Sequence, residues 1–286
     1  MLKMVVVSPN VAVTGGVEAL HQLVATANEI EPGSAAILYY PQPSTHNAYS
    51  RYDCPVVQSV PAGVLIVLPE IWPHLAQQFP MNRCALWWLS VDNFGSHGHS
   101  DWSDISLHLC QSAYAWEYVS RNVGGDQLML TDWVDVLDVD VARNHRVVVN
   151  PAKDAGLLRP FVAAHPDVDF IELRGLDRAG VAGVWWSSQV YIDFGRHPGR
   201  DRPPREAASA GCVVLSTKLG AAGFDADMPL NDRYKFDSLN EASVALRMVL
   251  ADWQKHHDAQ ARYRQVITDQ RSVFRQEVGE LLESCS

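Results

Sequence analysis

VYIDFGRHPGRDRPPREAASAGCVVLS, residues 190–216, decides the fold. An apolar run ending Tyr191-Ile192-Asp193-Phe194 stops at Gly195, a turn region follows, a short helix is signalled, and 212–215 is a second apolar run. This is a strand, loop, helix, strand unit. Asp201 suits the helix cap, Pro203 or Pro204 suits the first turn where a missing N–H goes unnoticed, and Gly211 suits the left-handed residue that ends the helix. Between strand and helix lie Arg196, His197, Arg200, Arg202 and Arg205, set against one Asp, in a chain whose formal net charge is -10. A cationic loop in an acidic chain points to an anionic ligand. Ligands of open parallel sheets bind outside the carboxyl ends of strands, and helix N-termini attract phosphates. Position and charge agree.

Outward from this unit, apolar runs of strand length recur at 4–7, 35–40, 63–68, 85–89, 105–110, 127–130, 146–149 and 169–173, alternating with helical or loop stretches. Short continuous apolar runs are the pattern of parallel strands buried on both faces. The fold class expected is α/β, with two doubly wound Rossmann-like halves. A chain of 286 residues has room for two such domains of roughly 140 residues each. Its 47% hydrophobic and 20% charged residues are those of an ordinary globular protein. The acidic balance argues against a binder of duplex nucleic acid, which needs a cationic surface. Five scattered cysteines without a C-x-x-C pair fit a reducing compartment. The apolar run at 1–7 is too short for a signal-peptide core or a membrane span, so a cytoplasmic location is expected, with peripheral membrane contact still open.

Several motifs carry candidate chemistry. Gly15 and Gly16 sit where the first strand hands over to a helix from 17, where glycines let a ligand approach and also simply make turns. Lys153 follows the strand at 146–149 and can reach a diphosphate as a point charge, or be a surface lysine. The polar loop 92–101, with Asp92, His97 and His99, lies at a strand end and reads as lining of a cleft or as a solvated loop. Two D-x-D patterns, Asp138/Asp140 and Asp225/Asp227, arise readily in an acidic chain and are discounted as metal sites. The segment 217–232 bears Leu219 and Gly220. Leu239 to Trp253 and Tyr263 to Leu282 form two apolar helical stripes at the end of the chain.

Arg205-Glu206-Ala207-Ala208-Ser209-Ala210-Gly211-Cys212-Val213-Val214 resembles the E-A-x-A-x-G-x-P-V segment in the second domain of GT-B-fold glycosyltransferases, especially the retaining nucleotide-sugar enzymes of glycosyltransferase family 4. Gly15-Gly16-Val17-Glu18 looks like that family's G-G-x-E, which faces the donor phosphates, and Lys153 falls at the lysine of its G-R-x-x-x-x-K-G. The family's other glutamate, eight positions before Glu206, falls on Pro198 here.

The resemblance implies two domains facing a cleft: 1–140 on the acceptor side, 145–258 for the donor nucleotide, and 259–286 a helix packing back on the first. It implies Glu206 on the ribose and Lys153 on the diphosphate, with Lys153, Glu206 and Asp92 as candidate catalytic residues. Gly15, Gly16, Lys153, Arg196, His197, Gly199, Arg200, Arg202, Glu206, Leu219 and Gly220 are the implied donor contacts. The donor is a nucleotide-diphosphate sugar, a substrate rather than a resident cofactor, and no metal is called for. The acceptor is a saccharide, lipid-linked or other hydroxyl, with retention carried by likeness alone. A non-catalytic nucleotide-sugar-binding protein of the same fold is the alternative. A dinucleotide oxidoreductase is a third reading, against which the absence of G-x-G-x-x-G after the first strand counts.

Overall fold

Alternate residues of a strand point to opposite faces, so a run apolar at every position makes a strand covered on both sides. The computed structural model, which describes residues 1–9, 13–41, 48–94, 101–137, 143–153 and 156–285, is built on such strands. It comprises two units: Met1–Trp133 with Pro198–Arg200 and Gln270–Ser286, and Val134–His197 with Asp201–Asp269.

Unit 1 runs β1 (Met4–Pro9), α1 (Gly15–Ile30), β2 (Ala35–Tyr40), β3 (Leu65–Pro69), β4 (Cys84–Trp88), α2 (Val91–Phe94), β5 (Leu107–Cys110), α3 (Ala113–Asn122) and β6 (Gln127–Met129). Its parallel sheet has the order β2-β1-β3-β4-β5-β6. Met4 and Val6 pack with Leu20, Leu23 and Val24 of α1 on one face; Val5 and Val7 pack with Leu75, Ala76 and Val119 on the other. Helix α1 starts two residues before the expected point, because the Thr14 hydroxyl accepts the Val17 N–H at 3.3 Å and caps it there. Strand β4 ends before Val91, since the Leu89 N–H turns to the Trp87 carbonyl at 3.1 Å and leaves the ladder.

Unit 2 repeats the plan with β7 (Asn144–Val149), α4 (Leu158–Ala163), β8 (Asp169–Glu172), α5 (Arg178–Ser187), β9 (Ser188–Asp193), α6 (Arg202–Ser209), β10 (Val213–Thr217), β11 (Lys235–Phe236), α7 (Leu239–Ala251), α8 (Trp253–Ala259) and α9 (Ala261–Ser284), the last running on into unit 1 residues. The sheet is parallel throughout, in the order β11-β10-β9-β7-β8. Helix α6 ends as expected at Gly211, whose φ of 91° is left-handed. There the Cys212 N–H reaches the Ala207 carbonyl and the Gly211 N–H the Ala208 carbonyl, each at 2.9 Å, which closes a Schellman turn. The two expected terminal helices are three, because Asp252 ends α7 and its side chain caps α8 through the Lys255 N–H. No helix of the described residues is long and apolar enough to cross a membrane.

Strand β11 is short and pairs with β10 only at Ser216 and Thr217, which leaves Val214 without a ladder partner on that side. Gln260, buried, fills the gap: its Oε1 accepts the Val214 N–H and its Nε2 donates to the Val214 carbonyl, both at 2.9 Å. Gln260→Ala strands two buried backbone groups, and each such loss costs about 1–3 kcal/mol. The variant is therefore expected to unfold several degrees below the parent in a thermal melt; an unchanged midpoint would contradict this role.

Candidate functional site

In a parallel sheet all strands release their chains at one edge, and a crevice opens where the strand order reverses direction. In unit 2 this point lies between β7 and β9. Strand β7 delivers Lys153 through a single helical turn, Pro151–Lys153, and β9 delivers Asp193, Gly195 and the loop to α6. The β9/β10 register sets Ser216 beside Asp193, so β10 also feeds the same edge. The turns after β7 and β9 touch. A Cβ on Gly195 would lie 2.8 Å from Lys153 Cβ and 3.0 Å from Asp193 Oδ1, so glycine is what lets them meet.

One carboxylate organises this edge. The Lys153 ammonium is bonded to Asp201 Oδ2, and His197 Nδ1 stands 2.9 Å from the same oxygen. His197 is 1% exposed, and its Nε2 lies 2.9 Å from Ser216 Oγ and 3.9 Å from Asp193 Oδ1. A proton on Nδ1 faces Asp201 while Nε2 accepts the Ser216 hydroxyl, a tautomer inferred from the partners. Asp193 takes the Tyr191 hydroxyl at 2.6 Å and the Gly195 N–H at 2.8 Å. Burial works against ionisation of Asp201, yet His197 and then Lys153 hold its carboxyl below the usual range. Burial, followed by the Asp193 charge, raises the Tyr191 phenol well above its ordinary value.

Asp201 does occupy the cap position of α6, but its side chain makes no capping hydrogen bond. The expectation of a side-chain cap is corrected: the carboxylate is turned to Lys153 and His197 instead. Pro203 and Pro204 leave Arg202 as the sole residue among the first three of α6 that carries a backbone N–H, so this helix end has few amides to offer an anion. Arg205 is 1% exposed and its Nε donates to the Asp201 carbonyl at 3.1 Å, so it is no loop charge. Arg202 Nε reaches Glu206 Oε1 at 3.3 Å, one turn along α6, and Arg196 is exposed. The loop after β10 is fastened to His197: the His197 N–H donates to the Leu219 carbonyl at 3.1 Å and the Ala221 N–H to the His197 carbonyl at 2.8 Å. Gly220, at φ 67°, sits between them, and a Cβ there would come within 2.0 Å of the His197 oxygen. Leu219 is exposed.

The remaining candidates fall in unit 1. Gly15 and Gly16 form the first turn of α1, and a Cβ on Gly16 would meet Leu89 Cδ1 at 3.6 Å, an ordinary contact. Glu18 is paired with Arg51 and accepts the Tyr52 hydroxyl at 2.8 Å. Asp92 is exposed on α2, where it accepts the Tyr114 hydroxyl at 2.8 Å. Gly199 is buried against β4: a Cβ would lie 2.1 Å from the Leu89 oxygen, and the Arg200 N–H donates to Gln111 Oε1 at 3.0 Å. Pro198 gives its carbonyl to the Val91 N–H at 2.8 Å. His97, His99 and the Asp138/Asp140 pair lie outside the described residues. Asp225 pairs with Arg262 at 3.2 Å, and among the described residues no three His, Cys, Asp or Glu side chains are grouped to hold a metal.

Sequence reasoning missed Asp193, Ser216 and the side-chain role of Asp201. A signal was available: Asp193, His197 and Asp201 are spaced four apart across a loop, which brings both carboxylates to one imidazole.

No family model matches the chain, and no curated protein matches it. Solved structures do. HepE from Anabaena, crystallised with UDP and glucose, aligns over 99% of this chain and 100% of its own at 12% identity and TM-score 0.72. A glycosyltransferase from Rickettsia africae aligns over 99% and 98% at 12% identity and TM-score 0.71. Sucrose-phosphate synthase from Thermosynechococcus elongatus aligns over 99% of both chains at 12% identity and TM-score 0.72. At such identity the likeness is one of fold, and it is the expected one: two doubly wound α/β domains of the GT-B kind.

Asp201→Asn is expected to lower stability near neutral pH by on the order of 2 kcal/mol, since Lys153 and His197 lose their shared carboxylate. Because the folded carboxyl titrates below its unfolded value, its contribution is full above about pH 4 and fades as the pH falls through the folded value. Melts of both proteins should therefore converge on acidification. A stability gap that widens at low pH would contradict the pairing.

Proposed function

We propose that the chain is a glycosyltransferase that moves a sugar from a nucleotide-diphosphate sugar to the hydroxyl of a saccharide, lipid-linked or other acceptor. The observation that carries this reading is one arrangement within unit 2. Lys153 follows β7 and is bonded to Asp201, the residue before α6, while Arg202 opens α6 after β9 and pairs with Glu206 one turn on, on either side of the point where the strand order reverses. Two cations and a carboxylate one helical turn on suit the two parts of a nucleoside diphosphate, its phosphates and its ribose. The whole-length likeness to HepE, crystallised with UDP and glucose, supports the same ligand class.

In this mechanism the bond between the anomeric carbon and the diphosphate oxygen breaks while the acceptor oxygen bonds to that carbon. Negative charge grows on the departing diphosphate. Lys153 is held in place by Asp201 before the donor arrives, so its ammonium needs little reordering to stabilise that charge. Asp201 also offsets part of the cation, and the diphosphate competes with it for the ammonium. Arg202 supplies a second cation and Glu206 accepts the ribose hydroxyls. Family likeness favours retention at the anomeric carbon, and the two cations make a divalent metal dispensable. Pro198, where the family has a glutamate, is the observation that favours the other reading, a nucleotide-sugar-binding protein without chemistry.

The test is calorimetry and turnover on two variants. Glu206→Gln is expected to weaken nucleoside diphosphates ten- to a hundredfold, the worth of a hydrogen bond to a charged group at ~1.5–3 kcal/mol, and to leave pyrophosphate binding unchanged. Lys153→Ala is expected to reduce turnover more than donor binding. Transfer should persist in EDTA. Parent-like nucleotide affinity in both folded variants would refute the site, and confirmed donor binding without transfer or hydrolysis would favour the non-catalytic reading.

A further inference from the structure

His197 lies between two carboxylates at the ligand edge of unit 2, Asp193 at the end of β9 and Asp201 just before α6. Its Nε2 meets the Ser216 hydroxyl at 2.9 Å, with Asp193 Oδ1 3.9 Å away. Its Nδ1 stands 2.9 Å from Asp201 Oδ2 without the alignment of a hydrogen bond, while that oxygen is bonded to the Lys153 ammonium. Around this group the Tyr191 phenol donates to Asp193 at 2.6 Å, and Arg205 Nε donates to the Asp201 main-chain carbonyl at 3.1 Å. Pinning the loop after β10 does not require an imidazole, for the His197 main chain does that through Leu219 and Ala221. The side chain adds something else: a buried ring set between two acids can gain a positive charge without changing place.

We propose that His197 is a positioning residue that takes up a proton when a nucleoside diphosphate draws the Lys153 ammonium away from Asp201. The inference rests on the donor site proposed above. In the free protein the lysine is the counter-charge of Asp201, and the ring is neutral with its Nε2 accepting the Ser216 hydroxyl. A diphosphate that takes the ammonium leaves two carboxylates facing one buried ring, and unpaired charge in such a place is costly. One proton from solvent then adds to Nε2. The Ser216 hydroxyl rotates from donor to acceptor, which a hydroxyl can do in place. The imidazolium holds Asp201 through Nδ1 and faces Asp193 from the Nε2 side, and no other covalent bond forms or breaks. Asp201 thereby keeps a cationic partner while the lysine is on the phosphate, and the start of α6, which carries Arg202 and Glu206, keeps its anchor. Linkage requires the reverse as well: a protonated His197 competes with Lys153 for Asp201 and so favours the nucleotide.

The experiment is titration calorimetry of UDP, GDP, ADP and dTDP into the full-length wild type, His197→Asn and Lys153→Ala. It is run in PIPES, HEPES and Tris at about pH 7.5, one unit above the ordinary histidine value. These buffers differ in heat of ionisation, so the dependence of the binding heat on buffer counts protons. Asparagine keeps a donor near Nδ1 but cannot be protonated, so His197→Asn gives the baseline for the nucleotide's own terminal phosphate. The wild type is expected to take up about 0.5–1 proton per nucleotide more than this baseline, and its Kd to weaken by up to about tenfold from pH 7 to 8, against less than about threefold in His197→Asn. Lys153→Ala keeps the imidazole but has no ammonium to lose, so its uptake is expected to fall to the same baseline. A merely structural histidine would leave wild type and Lys153→Ala alike. Should His197→Asn fail to fold, Lys153→Ala decides by that comparison. Equal proton uptake in the wild type and the folded variants, with parallel pH dependence of Kd, would overturn the inference and leave the donor site standing. A wild type that binds none of these nucleotides removes the donor site and the inference together.

Discussion

The Asp201 carboxylate is the contact on which the ligand edge of unit 2 depends. It meets the lysine delivered by β7 and the imidazole delivered by β9, and that imidazole is bonded to a serine of β10. Three strand ends are thereby tied to one half-buried anion. Such a network costs desolvation and is stable only when each member has a partner. Here Lys153 is bonded to Asp201, His197 Nδ1 stands 2.9 Å from the same carboxylate, Ser216 meets the other ring nitrogen, and Asp193 is satisfied by Tyr191 and Gly195. The result is a cation whose position is fixed by its counter-charge.

The fold was legible because parallel strands covered on both faces cannot hide in a sequence. The runs at 35–40, 127–130 and 146–149 lie on β2, β6 and β7 to within two residues at either end. The limits of α6 were legible too, since proline and glycine act through local backbone geometry alone. What stayed hidden depended on tertiary partners. Aspartate before a helix reads as a cap, and nothing local reveals that a lysine 48 residues earlier in the chain will compete for its carboxylate. Three terminal helices were read as two because the break at Asp252 is a cap without a glycine or proline to announce it.

The two units share a plan and differ in what they place at the same edge. Unit 2 places charges: Lys153, Asp201, Arg202, Glu206. Unit 1 places two glycines and a backbone turn at Leu89.

The most direct measurement is a crystal structure of the chain grown with UDP. The account predicts the diphosphate within hydrogen-bonding distance of the Lys153 ammonium, at the carboxyl ends of β7 and β9, with Glu206 on the ribose. A nucleotide bound elsewhere, with Lys153 still bonded to Asp201 alone, would contradict it.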